Sequence, residues 1–600
     1  MYDFKDVEKV AREIWKKHKK ELKESVQDNP KKPLFSFLEG PPTANAPPGL
    51  HHLEARTFKD LICKFRYMNG FSVPRKGGWD CHGLPVEVQV EKELKLESKK
   101  EVEKYGVDKF IEKCRESVFS NIEDWNKSTE ELNYLIDLEN PYITLENNYI
   151  ESVWWSLKEL YKKKLLYEGY KVLPFCTRCG TPLSSHEVAQ GYKEVQEESV
   201  YIAFRIKGKK DEYILAWTTT PWTLPGNVAL AVGPKIEYVK VELPDGDKLI
   251  IGKEKIGLLK GQCKIIEKLK GKDLIGLEYE PLYEIKELKS DNSYRIVAAD
   301  FVTTEDGTGV VHTAVMYGEE DYNLGKEIGL PEVHTVGQDG KFLDIVPEFI
   351  RGKYVKSAEK DIKEDLKKRH LLFKVEKISH DYPFCWRCDS PLLYYGINSW
   401  FINASETRKR LVELNKEINW YPSHIKEGRF GKWLDGAKDW ALSRFKFWGT
   451  PLPIWKCECG KEKIIGSIEE LKKEAIKMPK EKIDLHKPWI DKVKLRCSCG
   501  KEMRRIPDVI DCWYDSGSAS FAQFHYPFEN KKEFERRYSY DYIAEGIDQT
   551  RGWFYTLHFL GTVLFDKPAY KNAICMGHIV DEKGEKMSKS KGNTIKPKEI

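Results

Sequence analysis

The 600-residue chain exceeds one ordinary domain, and ~150 residues per domain gives a prior of about four. Hydrophobic residues at 40% and aromatics at 12% exclude a wholly disordered chain. One hundred Lys and Arg against 95 Asp and Glu leave +5, a solvated surface whose net charge neither demands nor excludes a nucleic acid.

Neither a membrane span nor a signal peptide is expected. No run approaches ~18 apolar residues, and Met1-Tyr2-Asp3-Phe4-Lys5-Asp6 has no basic-then-apolar pattern. The chain reads as cytoplasmic. Residues 5–27 carry helix-type apolar spacing among Lys and Glu. After Pro33, Leu34-Phe35-Ser36-Phe37-Leu38 predicts a buried strand. Gly40 to Pro48 is too rich in Gly and Pro to continue it. From His52, the positions Phe58, Leu61, Ile62 and Phe65 recur at helical spacing. Gly70 stops that helix, and Phe71-Ser72-Val73 starts another strand. Strand, loop, helix, strand is a βαβ unit with a right-handed crossover. Such sheets bind ligands at the carboxyl ends of their strands. Residues 91–170 predict mostly helices, with Trp154 and Trp155 embedded. The texture changes near 196. To about 380, β-rich runs such as Val200–Phe204, Tyr213–Trp217 and Tyr238–Val241 alternate with turns, predicting an inserted domain. From 540 to 600 strand, helix and strand return.

Eight of the 14 cysteines fall in four tight pairs, and without a secretory signal metal ligation is favoured over disulfides. Cys176-Thr177-Arg178-Cys179 and Cys385-Trp386-Arg387-Cys388 have knuckle spacing and flank the inserted region. Two knuckles complete a closed, four-coordinate structural zinc site. Cys457-Glu458-Cys459 and Cys497-Ser498-Cys499 are more tightly spaced and predict a second such site. The plain alternative for both is buried free thiols.

Two segments suit a nucleotide. Gly40-Pro41-Pro42-Thr43-Ala44-Asn45-Ala46-Pro47-Pro48-Gly49-Leu50-His51-His52 feeds a helix N-terminus, where unpaired N–H groups and the dipole favour phosphate. Lys586-Met587-Ser588-Lys589-Ser590-Lys591-Gly592-Asn593 places cations on a Ser/Gly loop. Alone, the first reads as a turn and the second as a solvated charge run. Together they resemble the two signatures of class I aminoacyl-tRNA synthetases. Three further segments narrow the resemblance to the isoleucyl branch: Gly78–Pro85 (Gly-Trp-Asp-Cys-His-Gly-Leu-Pro), Trp217–Pro225 (Trp-Thr-Thr-Thr-Pro-Trp-Thr-Leu-Pro) and Glu545–Phe554 (Glu-Gly-Ile-Asp-Gln-Thr-Arg-Gly-Trp-Phe). One departure stands out. The family reads His, apolar, Gly, His where this chain has Gly49-Leu50-His51-His52, as if the first and third positions were exchanged. Glycine permits φ > 0 and has no Cβ, so moving it by two residues is expected to alter the loop path.

The resemblance implies an α/β fold: a split Rossmann-type parallel-sheet catalytic domain, an inserted β-rich, barrel-like editing domain and small zinc modules. The expected division is 1–195, first half of the catalytic domain with the first knuckle; 196–384, editing domain; 385–456, second knuckle and return; 457–506, zinc insertion; 507–600, second half of the catalytic domain. Family members continue into a helical anticodon-binding domain, so a C-terminally truncated monomer is expected. The implied chemistry is attack of the isoleucine carboxylate on the α-phosphate of ATP with Mg²⁺, then transfer to tRNA. It proceeds by positioning and charge neutralisation. His51, His52, Lys586, Ser588, Lys589 and Ser590 would handle the phosphates. Gly40, Pro41, Asn45, Gly49, Glu545, Gly546, Asp548 and Gln549 would contact ATP or the adenylate. Asp80 would bind the ammonium group, with Gln549 beside it and Pro41, Trp513 and Trp553 walling the side-chain pocket. In the inserted domain Thr218, Thr219, Thr220, Asn227, His312 and Asp321 would form the editing site. The rivals are a valyl enzyme, a non-ligating deacylase of mischarged tRNA, and a tRNA-binding module without chemistry.

Overall fold

A computed structural model describes residues 4–260, 263–479, 483–585, 587, 593 and 595. The chain forms two compact units. One comprises Met1–Glu168, Ser185–Gln190 and Trp400–Ile600, the other Gly169–Ser184 and Gly191–Ser399.

In the first unit the strands Asn419–Tyr421, Asn572–Met576 and Ile543–Gly546 lie parallel in that order. Parallel bridges extend the sheet at Phe37 against Tyr542 and at Leu34 against Ser72. Residues 34–38, expected as a strand, are therefore extended with only point bridges. The reason is local: the Ser36 N–H and hydroxyl donate to the Asp541 carboxylate, at 2.8 and 3.1 Å, so they are lost to the ladder. The helix expected from His52 runs Leu50–Met68 and ends before Gly70, whose φ of +91° suits glycine. Helices fill most of 91–170, but Asp137–Ile143 is a strand parallel to Lys76–Trp79. Asp, Glu, Asn and Pro in that run hide it from a reading based on strand propensity. The helix Trp553–Leu560 is apolar on all sides, and every residue in it is buried. Its His558 donates Nε2–H to the Leu411 carbonyl at 2.9 Å, and burial depresses its pKa to about 4, so it sits neutral in the core.

The second unit is built on a nine-stranded mixed sheet. Tyr192–Arg205 pairs antiparallel with Leu372–Pro383 from Tyr192 opposite Pro383 onward, zipping together the two ends of this region. Its other partner is Glu212–Thr218. That strand in turn meets Lys248–Gly252 near its start and Val310–Thr313 near its end. Two neighbours sharing one strand make the sheet diverge and curl. Because pairing starts at Tyr192, and Gly169–Ser184 belongs to the same unit, the unit is wider than 196–384, and both Cys-x-x-Cys knuckles lie inside it. Among the described residues no helix is long and apolar enough to cross a membrane.

Candidate active site

The carboxyl ends of the parallel strands gather the expected nucleotide residues. Glu545 and Gly546 end one strand. A Cβ on Gly40 would overlap Glu545 Oε1 and stand 3.4 Å from the Trp553 ring, so the glycine gives the Glu545 carboxyl group its place. A Cβ on Gly546 would come 2.7 Å from Asp548 Oδ1. Gln549 donates to Asp548 at 2.9 Å and accepts the Trp553 N–H at 3.0 Å, which fixes its amide.

Gly49 is the N-cap of the helix Leu50–Met68, and its N–H donates to His52 Nδ1 at 3.0 Å. His52 thus keeps a lone pair on Nδ1 and its proton on Nε2. Its ring lies 3.8 Å from that of His51 and 4.8 Å from that of Trp125, centroid to centroid. Gly49 has φ −108°, an extended backbone open to any residue. What it supplies is room: a Cβ there would come 3.0 Å from the His51 ring. Asn45 is buried and donates to the Pro85 carbonyl at 2.9 Å, a loop-bracing contact. Lys586, Ser588, Lys589 and Ser590 lie outside the described residues.

Asp80 is tied to the Pro41-Pro42 loop by its N–H, which donates to the Pro42 carbonyl at 3.0 Å. Its Oδ1 is buried without a hydrogen-bond partner. Burial, reinforced by the Asp515 carboxylate, pushes its pKa well above the ordinary value. A cation beside it would lower that pKa again. Trp513 is the second residue of the short helix Cys512–Gly517, where the Asp511 carboxylate accepts its backbone N–H at 3.1 Å. Asp511 is itself held by Arg444 at 2.7 Å and by the Trp440 indole at 2.9 Å. Trp553 is buried and donates to the Ser516 carbonyl at 2.9 Å, so it belongs to the core as well as to the rim. Sequence reasoning missed Lys59, which lies between Glu39 at 3.2 Å and Glu545 at 2.6 Å.

In the second unit the hydroxyls form a directed chain. Asn227 accepts from Tyr279 OH at 2.6 Å and donates to the Ala229 carbonyl and to His312 Nδ1, at 3.0 and 2.9 Å. His312 therefore carries its proton on Nε2 and donates it to Thr223 at 2.9 Å. Burial depresses its pKa to about 4. Thr223 donates to the Thr220 carbonyl at 2.8 Å, and Thr220 meets Thr218 at 3.1 Å. Thr219 follows the end of the strand Glu212–Thr218. Asp321 accepts the Ala314 N–H at 2.9 Å, and burial raises its pKa to about 6. Thr223 and Tyr279 were not singled out from sequence, although Thr223 lies inside the Thr-rich segment.

The eight paired cysteines converge as two groups, Cys176, Cys179, Cys385, Cys388 and Cys457, Cys459, Cys497, Cys499, with ligand atoms within 4.8 Å of one another in each. Sulfur separations are 3.5 Å for Cys176–Cys388, 3.5 Å for Cys457–Cys499 and 3.7 Å for Cys459–Cys497. A disulfide needs ~2.05 Å. A tetrahedron with ~2.3 Å Zn–S arms has edges of ~3.8 Å, so both sets fit zinc and leave no open position.

Residues 11–600 match the model of a family described as tRNA synthetases class I (I, L, M and V). The chain belongs to the class I tRNA synthetases. Its relatives named Isoleucine--tRNA ligase include those of Clostridium acetobutylicum and Thermus thermophilus. Each is 50% identical, over 599 and 606 residues respectively. The Isoleucine--tRNA ligase 2 of Bacillus cereus is 48% identical over 582 residues. Each alignment covers 96–100% of this class I chain, which spans 56–57% of the relatives' own length.

Proposed function

We propose that this chain activates isoleucine with ATP, passes it to its tRNA, and carries a second, hydrolytic site that clears valine. The observation that carries the reading is 50% identity along the whole chain to proteins named Isoleucine--tRNA ligase. In this reading Asp80 takes the ammonium group, and Trp513 and Trp553 wall the apolar side chain. His51 and His52 meet the phosphates together with Lys586, Ser588, Lys589, Ser590 and Mg²⁺. Glu545, Gly546, Asp548 and Gln549 hold the adenylate. An apolar pocket gains only ~1–3 kcal/mol against one missing methylene, and this family's isoleucine/valine pair is the standard example of that limit rather than a value derived from this structure. Thr218, Thr219, Thr220, Asn227, His312 and Asp321 supply the remedy, hydrolysis at a separate site. Zinc in the two four-cysteine groups is structural.

The state of Asp80 gives the test. Burial raises the Asp80 pKa and an ammonium beside it lowers it again, so isoleucine binding is coupled to proton release in the pH range where Asp80 is protonated. Affinity then rises with pH, approaching tenfold per unit below the Asp80 pKa. Titration calorimetry in buffers of different ionisation enthalpy measures that proton. Asp80→Asn should lose both the proton release and most of the affinity. Isoleucine binding that is independent of pH in the parent contradicts the assignment.

A further inference from the structure

Lys59 lies in the middle of the helix Leu50–Met68, whose first turn carries His51 and His52. Its side chain is 3% exposed, and its ammonium reaches Glu39 Oε2 at 3.2 Å and Glu545 Oε1 at 2.6 Å. Glu39 immediately precedes Gly40, and Tyr134 OH also donates to it, at 2.7 Å. Glu545 lies against Gly40 and ends its strand. One ammonium therefore joins three elements: the helix that begins at the two histidines, the Gly40 loop and the strand end at Gly546. One buried ammonium there faces two carboxyl groups. Without the ammonium, two carboxylates would face each other with little water to screen them.

We propose that Lys59 is a positioning residue for nucleotide and adenylate binding: its ammonium holds the Glu545 carboxyl group aimed across Gly40. This rests on the reading of the site given above. Burial alone would depress the Lys59 pKa, yet the two carboxylates outweigh it and hold it above the ordinary value. For Glu545 burial raises the pKa, and Lys59 is the largest opposing influence, while Glu39 and Asp548 push the same way as burial. The other titratable groups facing the cluster are Cys63, Tyr134, Tyr142 and Tyr542. The thiol and the three phenols all have raised pKa values, so they remain neutral through the range in which Glu545 titrates. No other cation meets Glu545 among the described residues. Nothing in the local sequence marks this role, because Lys59 stands in Arg56-Thr57-Phe58-Lys59-Asp60, where helix charges ordinarily face water.

The test is a double-mutant cycle on the 600-residue chain with Lys59→Met, Glu545→Gln and the double variant. Isoleucine-dependent ATP–pyrophosphate exchange is followed across pH, together with the infrared carboxylate band of isotope-labelled glutamate. Lys59→Met should lower exchange at neutral pH by ~100-fold, the order expected when one partner of a buried charge pair is removed. Its acid limb and the Glu545 band should both shift to higher pH by ~1 unit or more. The double variant should be no worse than Glu545→Gln alone. If Lys59→Met does not fold, the double variant, which removes both charges, should regain the folded state and the activity of Glu545→Gln. Additive losses, or an unmoved Glu545 band, overturn the proposal. A parent without exchange overturns the functional reading instead, and the band still decides the role of Lys59.

Discussion

The exchanged positions in the first signature are legible as an exchange because one residue explains the other. A Cβ at Gly49 would stand 3.0 Å from the His51 ring, so with a histidine at the third position a larger first residue forces that ring to shift. Gly49→His alone should therefore disturb the loop and weaken ATP binding by on the order of tenfold, from an overpacking cost of ~1–3 kcal/mol. Gly49→His with His51→Gly should recover ATP binding. The recovered variant should bind isoleucyl-adenylate mimics more tightly than the parent, because a side chain leaves the space beside the adenylate. Competition titrations with one such mimic check this, and equal affinities for parent and double variant count against it.

Asp321 gives a second test at the same scale. Its folded pKa of about 6 lies above the ordinary 3.8, so the folded state holds its proton more tightly than the unfolded chain. The sign follows: stability is lost as pH rises from ~4 through ~6, by up to ~3 kcal/mol. Asp321→Asn should raise the thermal midpoint at pH 8 but not at pH 4. At pH 8 it should abolish deacylation of valyl-tRNA, because the ammonium group loses its counter-charge. Hydrolysis equal to the parent's would remove Asp321 from the site. Thr218, Thr219 and Thr220 stand in the quoted Thr-rich segment, and His312, which the structure joins to Thr223 and Asn227, was named from the resemblance. Tyr279 was not, since only the folded sheet brings its hydroxyl to Asn227. Asn45, a motif asparagine expected at the nucleotide, donates from its amide to the Pro85 carbonyl, a contact that the sequence does not announce.

At the scale of elements, periodicity read the helices well. The run from His52 and the stop at Gly70 follow directly from apolar spacing and a glycine. Strands were harder. The segment 34–38 has strand composition, but Asp541 captures the Ser36 N–H, and 137–143 has the reverse problem of poor composition in a paired position. The cysteine modules were legible from spacing alone, because ligand geometry restricts which turns can present two thiolates. Their prediction is specific. Protein purified without chelator should contain about two zinc per chain by elemental analysis, since metal-binding energy is part of folding energy. Cys459 and Cys499 are exposed while the first group is mostly buried, so a chelator should strip the 457–499 module first. Well-folded protein with metal content near zero would refute the assignment.

At the scale of the whole molecule, the order of segments carried more information than any one of them. A βαβ start, a β-rich interruption and a returning parallel strand together describe a catalytic unit split by an insertion. The boundaries were less legible, because the pairing of Tyr192–Arg205 with Leu372–Pro383 joins residues far apart in the chain, Tyr192 meeting Pro383. Activation of isoleucine is the property on which every assignment in the first unit depends. Amino-acid-dependent ATP–pyrophosphate exchange on the 600-residue chain tests it most directly. Exchange is expected with isoleucine, weaker with valine by the ~10–200-fold that one methylene allows, and absent with Asp80→Ala. Exchange that is absent with isoleucine in the parent, or stronger with valine, would contradict it.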